Sequence, residues 1–522
     1  MTTFHDLLRS SAAAHGGQTA LLIDDARVTY AQLLARAETL AAELAGRGIG
    51  PGDHVAVIMD NSLECVLAWL ASSLIGCTEI PINPQYRGDL LHYLLDDGEV
   101  TAVIADAGYL ARVLEIADRL PRLRTVLVNG AAGPDRAVRA EVAALDFAGS
   151  ERPFAGVDDA GERVILYTSG TTGPSKGVMH SQAAMLGLAR YNAQVLGYGA
   201  DDRLLNFFPL FHQNARYTGV VPALCVGASI RIERKLSTST FWQTCERDGI
   251  TAFNYLGSVL RMILNATDPD RRAGSHSVRK AFGAGAPADV WSEFEERLGI
   301  ALYETYGLSE APMATLNVPG PARPPRGSIG RASELFAAAI VDVQDNMLPA
   351  GSIGEIVLRP RRPDAFMLGY HNQPEATVAA VRNLWFHSGD RGFMSPEGDL
   401  YFEERAKDSI RRRGENISAW EVESVIEQHP GVAEAAVYGL PCADADEEVA
   451  ASIIAAGDAD LAAIHRFARE RLPAYAVPTL MRLASDLPRT ATAKVRKEEL
   501  RGIPREQHVA MAGAGAGSTE ER

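Results

Sequence analysis

"YTSGTTGPSKGVMHS", residues 167–181, follows the apolar run 164–166 and packs three glycines, a proline, six Ser/Thr hydroxyls and one lysine into fifteen residues. A glycine-rich turn after a strand is either a tight connection or a cradle for phosphate, because bare backbone N–H groups can approach an anion closely. Two common nucleotide loops are excluded by the spacing. The Walker pattern needs glycine directly before its lysine and Ser/Thr directly after, whereas Lys176 lies between Ser175 and Gly177. The dinucleotide fingerprint fails because Gly170, Gly173 and Gly177 are spaced differently and a lysine interrupts them. A decorative surface turn or a phosphate-handling loop of another kind remains.

Outward from this loop, apolar strand-like runs at 55–59, 102–105, 125–128 and 164–167 alternate with helix-patterned stretches such as 30–47 and 63–75. That rhythm predicts parallel α/β sheets. After about residue 325 the turns Gly-Ser-Ile-Gly, Pro-Ala-Gly-Ser-Ile-Gly and Pro-Glu-Gly-Asp punctuate short strands, as at 337–343 and 354–358, and predict antiparallel β structure. From residue 408 the pattern becomes a small α+β unit, with a helix over 419–428, a strand over 432–438 and a helix over 461–471. The stretch 502–522, with its AGAGAG run, reads as a disordered tail.

At 522 residues, with 47% hydrophobic and 22% charged residues, the chain is ordinary globular material of two to four domains. A formal net charge of -15 argues against nucleic acid as a partner, although local loops can still hold ATP. Five scattered cysteines without a CxxC pair predict a reduced, cytoplasmic chain. No basic-then-apolar leader opens the sequence, and the apolar stretch 65–77 is too short for a bilayer, so a buried helix and no membrane partner are expected.

Further stretches carry chemistry, each with a plain structural reading beside it. "NFFPLFHQNA" (206–215) offers His212, and a lone histidine there is more often a packed core residue. "GAGAPA" (283–288) suits close approach to a planar ligand or a plain turn. "YETYGLSE" (303–310) ends in an aromatic plane, a hydroxyl and a carboxylate, suited to a purine, a phosphate and Mg2+, or forms a simple junction. "WFHSGD" (385–390) supplies an aspartate for ribose hydroxyls or for its own turn. The charged run 404–423 leads into Gly414, and "LPRTATAKVRKEEL" (487–500) contains Lys494; solvated charges are the default for both.

In their order along the chain these segments resemble an AMP-forming acyl-CoA synthetase of the adenylate-forming (ANL) superfamily, over roughly residues 10 to 500. The resemblance implies two half-reactions: a carboxylate attacks the α-phosphate of ATP, releasing pyrophosphate, and coenzyme A thiol then attacks the acyl carbon. It implies an N-terminal domain over 1–403 with a β-barrel-like subdomain at about 325–403, a hinge at 404–408 and a mobile C-terminal lid at 409–501. Thr168, Ser169, Gly170, Thr171, Thr172, Gly173 and Lys176 would hold the β- and γ-phosphates. Gly285, Ala286 and Pro287 would flank adenine, Tyr306 and Gly307 its stacking face, Ser309 the α-phosphate, Glu310 magnesium, and Asp390 and Arg405 the ribose. Lys494 would bridge phosphate and carboxylate, Lys407 would mark the hinge, and Gly414, Glu415 and Asn416 would approach the coenzyme A channel.

The chain departs from the family's pattern at Ala493, Glu404 and Leu384, each standing where glycine is common. His212 would border the acyl pocket, and after it come Gln213, Asn214, Arg216 and Tyr217, a more polar edge than fatty-acid-activating relatives carry. On a helix Arg216 falls one turn beyond His212, to meet either a second polar group on the substrate or a neighbouring carboxylate. With Tyr255 in "FNYLGSVLRMIL" (253–264), the pattern looks most similar to the crotonobetaine/carnitine-CoA ligase-like subgroup, implying a small or polar acid. Transfer to a carrier protein or an amine, activation of nitrite for diazotisation, and a non-catalytic nucleotide-binding protein stay open, as do monomer and homodimer.

Overall fold

The structure, a computed structural model, describes residues 3–131, 138–147, 153–156, 163–168, 174–405, 409–412, 415–442, 447–457, 459–489 and 495–511, with backbone only for residues 163, 404, 405 and 409. It divides into two compact units: Met1–Pro84, Leu91–Tyr167 and Lys176–Glu404 form the first, and Gln85–Leu90, Thr168–Ser175 and Arg405–Arg522 the second.

The first unit carries the expected parallel sheets. One has eight strands, in the order Gly369–Tyr370, Lys176–Ser181, Arg163–Thr168, Thr78–Pro81, His54–Ile58, Ala102–Asp106, Thr125–Asn129 and Glu141–Ala144. The pairs from Thr78–Pro81 outward to Glu141–Ala144 are parallel, and Gly369–Tyr370 closes the opposite edge antiparallel to Lys176–Ser181. A second, nine-stranded sheet is parallel through Ser229–Ile232, Arg203–Asn206, Ala252–Leu256, Lys280–Ala284 and Ala301–Tyr306. The central strands are buried along most of their length, as strands inside a parallel sheet are. Helix Leu63–Leu74, started by the Ser62 hydroxyl on the Cys65 N–H, is buried all round and is the apolar stretch singled out above. Helix Tyr30–Gly46 opens with a reciprocal Thr29/Gln32 capping box. No described helix is long and apolar enough to cross a membrane.

The β-rich section is a five-stranded sheet built on the antiparallel pairs of Phe336–Val341, Gly354–Pro360 and Trp385–Met394. In the second unit a hairpin, Ser409–Arg412 with Glu415–Ser418, precedes helix Ala419–Ile426 and a four-stranded sheet. Helix Leu461–Arg471 falls where the apolar periodicity puts it. Paired backbone runs past residue 502, where the tail was expected to begin: Val509–Ala510 adds an edge strand to Leu480–Ala484, and the Met511 N–H donates to the Thr479 carbonyl, so backbone pairing holds a segment whose composition looked unstructured. Residues 512–522 lie outside the described ones.

Candidate active site

The strand Lys176–Ser181 begins on the loop's lysine, and the antiparallel edge strand Gly369–Tyr370 fixes what faces it. The Lys176 ammonium lies 4.9 Å from the centre of the Tyr370 ring. From the same ring the Tyr370 hydroxyl donates to Glu310 Oε1 at 2.7 Å. Burial, and then the adjacent Glu310 carboxylate, hold the Tyr370 hydroxyl well above its ordinary pKa, so it stays a donor. Lys176 and Glu310, far apart in sequence, are thus joined through one phenol.

Behind Glu310 the turn is pinned from the other side. Fully buried His180 donates from Nε2 to the Ser309 carbonyl at 2.6 Å, and burial pushes its pKa down to about 4. Gly307 has no room for a side chain, since a Cβ would come within 2.7 Å of the Met313 nitrogen. The Tyr306 hydroxyl, at the end of strand Ala301–Tyr306, donates to Asp390 Oδ2 at 2.8 Å. Asp390 is fully buried; its N–H is held by Ser388 Oγ at 3.0 Å, and the preceding Gly389 N–H by Glu355 Oε1 at 2.9 Å. The proposed adenine and ribose residues therefore share one network.

Gly285 adopts φ +76°, and a Cβ on the facing Gly257 would overlap the Gly285 carbonyl at 1.8 Å. Glu304 braces this turn: its carboxylate accepts from the Gly285 N–H and, at 3.2 Å, from the Ala286 N–H. Pro287 leads into helix Ala288–Ser292.

Three of the expected pocket residues are packed into the interior. Arg216, Tyr217 and Tyr255 are buried to 2% exposure or less. The chain from His212 does not continue as a regular α-helix: Gln213–Ala215 gives way to a π-helical turn, Arg216–Val220, which carries Arg216 into the core. There its guanidinium pairs with Glu79, donates to the Leu210 carbonyl and lies 4.6 Å from the Trp69 ring centre. Of the two partners open to Arg216, the neighbouring carboxylate is the one it takes. Tyr217 packs edge-on to Trp69, with centroids 5.8 Å apart. The Tyr255 hydroxyl is committed to Glu304 Oε2 at 2.6 Å. His212 and Gln213 are half-buried, and the buried Gln213 Nε2 has no hydrogen-bond partner among the described residues. Beside them Asn254 Nδ2 donates to Asn214 Oδ1 at 2.7 Å.

Thr168 ends its strand, and Glu415 and Asn416 lie on the hairpin of the second unit. Within that unit the Ser175 hydroxyl donates to buried Glu421, whose pKa burial raises. Ser169, Gly170, Thr171, Thr172, Gly173, Lys407, Gly414 and Lys494 lie outside the described residues, as does the Arg405 side chain.

Sequence reading passed over Tyr370, His180 and Glu304. His180 stands inside the opening stretch and Glu304 inside "YETYGLSE", each as an ionisable residue within a strand, which was the available signal.

The profile of the AMP-binding enzymes matches residues 8–371, and that of the AMP-binding enzyme C-terminal domain matches residues 421–494. The chain belongs to the AMP-binding enzyme family, of the adenylate-forming superfamily. A crotonobetaine/carnitine–CoA ligase of Salmonella typhi is 30% identical over 507 residues, covering 94% of this chain and 97% of that protein. Among solved structures, the o-succinylbenzoate CoA synthetase of Bacillus subtilis shares the fold with TM-score 0.85 at 24% identity, covering 97% of this chain and 99% of the other. The amide bond synthetase McbA of Marinactinospora thermotolerans matches with TM-score 0.81 at 25% identity, over 95% and 99% of the two chains. The matched span 8–371 contains Lys176, Tyr306, Glu310 and Tyr370, and Asp390 lies beyond it.

Proposed function

We propose that the chain is an AMP-forming acid–thiol ligase that joins a small or polar carboxylic acid to the AMP of ATP, releases pyrophosphate, and passes the acyl group to coenzyme A. The observation that carries this is the meeting of Lys176 and Glu310 on Tyr370. A cation for the departing phosphates and a carboxylate for a hard metal ion stand side by side, as charge that develops on a leaving group requires. Glu310 fits Mg2+, which keeps several waters and takes one or two carboxylates with phosphate oxygens. Bound there, the ion would neutralise phosphate charge. Tyr370 would keep the Glu310 carboxylate aimed, and Asp390, braced by Tyr306, would accept from the ribose.

The choice of a polar acid rests on Gln213 Nε2, which has no partner among the described residues, and the neighbouring Asn214–Asn254 pair. A buried donor without a partner costs about 1–3 kcal/mol, which a substrate oxygen would recover. The crotonobetaine/carnitine–CoA ligase relative supports the same class. A second reading, transfer to an amine, draws on the amide bond synthetase likeness.

Pyrophosphate release measured across a panel of carboxylates and nitrite, with and without coenzyme A, tests the proposal. The expected result is turnover with short or polar acids and an acyl-CoA product detected by mass. A preference for unsubstituted long-chain fatty acids overturns the substrate class, and nitrite-dependent AMP formation overturns the carboxylate.

A further inference from the structure

Away from the nucleotide residues, His54, Glu99 and His371 bring their ligand atoms within 4.8 Å of one another. They come from three separate pieces of the first unit: the first residue of strand His54–Ile58, the turn after helix Gly88–Asp97, and the residue after strand Gly369–Tyr370. The two imidazole rings lie 5.5 Å apart, centroid to centroid.

His54 Nδ1 donates to the Gly98 carbonyl at 2.7 Å, which fixes the proton there and leaves the Nε2 lone pair bare. The buried His371 Nε2 has no hydrogen-bond partner among the described residues. Glu99 Oε2 lies 3.9 Å from that nitrogen, while Arg122 holds Glu99 Oε1 at 2.6 Å. A histidine that gives one ring N–H to a backbone carbonyl and turns the other nitrogen inward, beside a carboxylate held by a further group, has the second-layer arrangement of a metal ligand. The Glu99 backbone adds to this: it sits at φ +51°, a conformation that glycine or asparagine takes at a helix end at lower cost.

We propose that His54, Glu99 and His371 form a site for a borderline divalent transition-metal ion, zinc by preference, with its fourth position left to water. Two imidazoles and one carboxylate suit zinc, whereas Mg2+ and Ca2+ take oxygen ligands. Zn–N bonds are about 2.0–2.1 Å, so small side-chain rotations close the observed spacing around one ion. The ion would clip together three chain segments next to the phosphate-side residues. His371 directly follows Tyr370, its N–H donates to the Gly177 carbonyl, and the Tyr167 hydroxyl donates to Asp97 at 2.7 Å. The site is separate from Glu310 and does not depend on the ligase reading.

The full chain, stripped with a chelator and exchanged into metal-free buffer, would be titrated with Zn2+ by calorimetry and with Co2+ by visible spectroscopy. One saturable equivalent is expected, with tetrahedral-type Co2+ bands, no competition from millimolar Mg2+, and a Tm raised by Zn2+. His54→Gln and Glu99→Gln should each weaken Zn2+ binding at least tenfold while keeping the metal-free Tm and circular dichroism of the parent. These two positions are half-buried, so both variants keep the fold if the side chains serve the metal alone. Absence of a stoichiometric site in the parent chain, or undiminished affinity in both variants, overturns the proposal.

Discussion

His180 has no surface in contact with water, and among the described residues its ring bonds the Ser309 carbonyl alone, with Nδ1 left without a partner. A proton added at Nδ1 would bury a charge, which is why the folded-state pKa is pushed down to about 4 from an ordinary 6.5. The unfolded chain therefore takes up the proton first. Stability from this residue is complete above pH 6.5 and is lost as the pH falls from there towards 4, by about 3 kcal/mol if no other group compensates. His180→Gln, whose amide can still donate to the carbonyl, should flatten the fall in urea-denaturation midpoint between pH 7 and pH 5. Burial also lowers the pKa of His276, His371, His465 and His508, so the variant should remove part of the slope and not all of it. An unchanged slope would mean the ring is not held neutral beneath Ser309. Other residues show where single-residue reading stopped. Glu310, Tyr306 and Asp390 were legible because their motifs place rare polar groups in fixed order. Arg216 was not, because its partner Glu79 lies in a distant strand and only the fold brings them together. The lone acid in the apolar run 78–81 was the available warning, since a buried carboxylate needs a cation or a donor.

Elements follow their local chemistry more closely than side-chain roles do. Helix Leu461–Arg471 starts on the Asp460 cap and ends where the apolar stripe ends, so its limits could be read directly. The segment after His212 could not. Its apolar spacing is helical, yet one extra residue per turn at Arg216–Val220 rotates every later side chain, and nothing in composition marks a π-turn. The hairpin between Val381–Arg382 and Trp385–Met394 shows the opposite case, a local rule broken in plain sight. Arg382 pairs with Trp385, so Asn383 and Leu384 are the two turn residues, at φ +50° and +63°. Such turns prefer Asn-Gly, and a leucine in the left-handed region costs roughly 1–2 kcal/mol. Leu384 is 77% exposed and loses little packing when removed. After glycine's greater freedom in the unfolded chain is subtracted, Leu384→Gly should stabilise by about 0.5–1 kcal/mol. The denaturation midpoint should rise with an unchanged slope; a fall would show that the leucine side chain contributes a contact that outweighs the turn.

At the scale of the molecule, each of the two units has its own hydrophobic core, one around Trp69, Phe253 and Trp291, the other around Val422, Val437 and Met481. The alternating α/β rhythm and the later shift to short strands made both legible, since each depends on near-neighbour periodicity. The assignment of Gln85–Leu90 to the second unit was not legible, because no near-neighbour pattern marks it. The proposed reaction residues are divided in the same way along the chain: Lys176, Tyr306, Glu310 and Asp390 belong to the first unit, and Lys494 to the span of the second. If the reaction runs in two half-reactions, a cation that serves only the first should be separable from the second. Lys494→Ala should lower pyrophosphate release from acid and ATP by about 10²- to 10³-fold, the loss of one well-placed charge in a transition state. Thioester formation from supplied acyl-adenylate and coenzyme A should stay within about threefold of the parent, a difference of less than 1 kcal/mol. Rapid-quench measurement of each half-reaction separates the two effects. Equal loss in both would point to a damaged second unit, which its melting transition would reveal, and full activity in both would remove Lys494 from the mechanism.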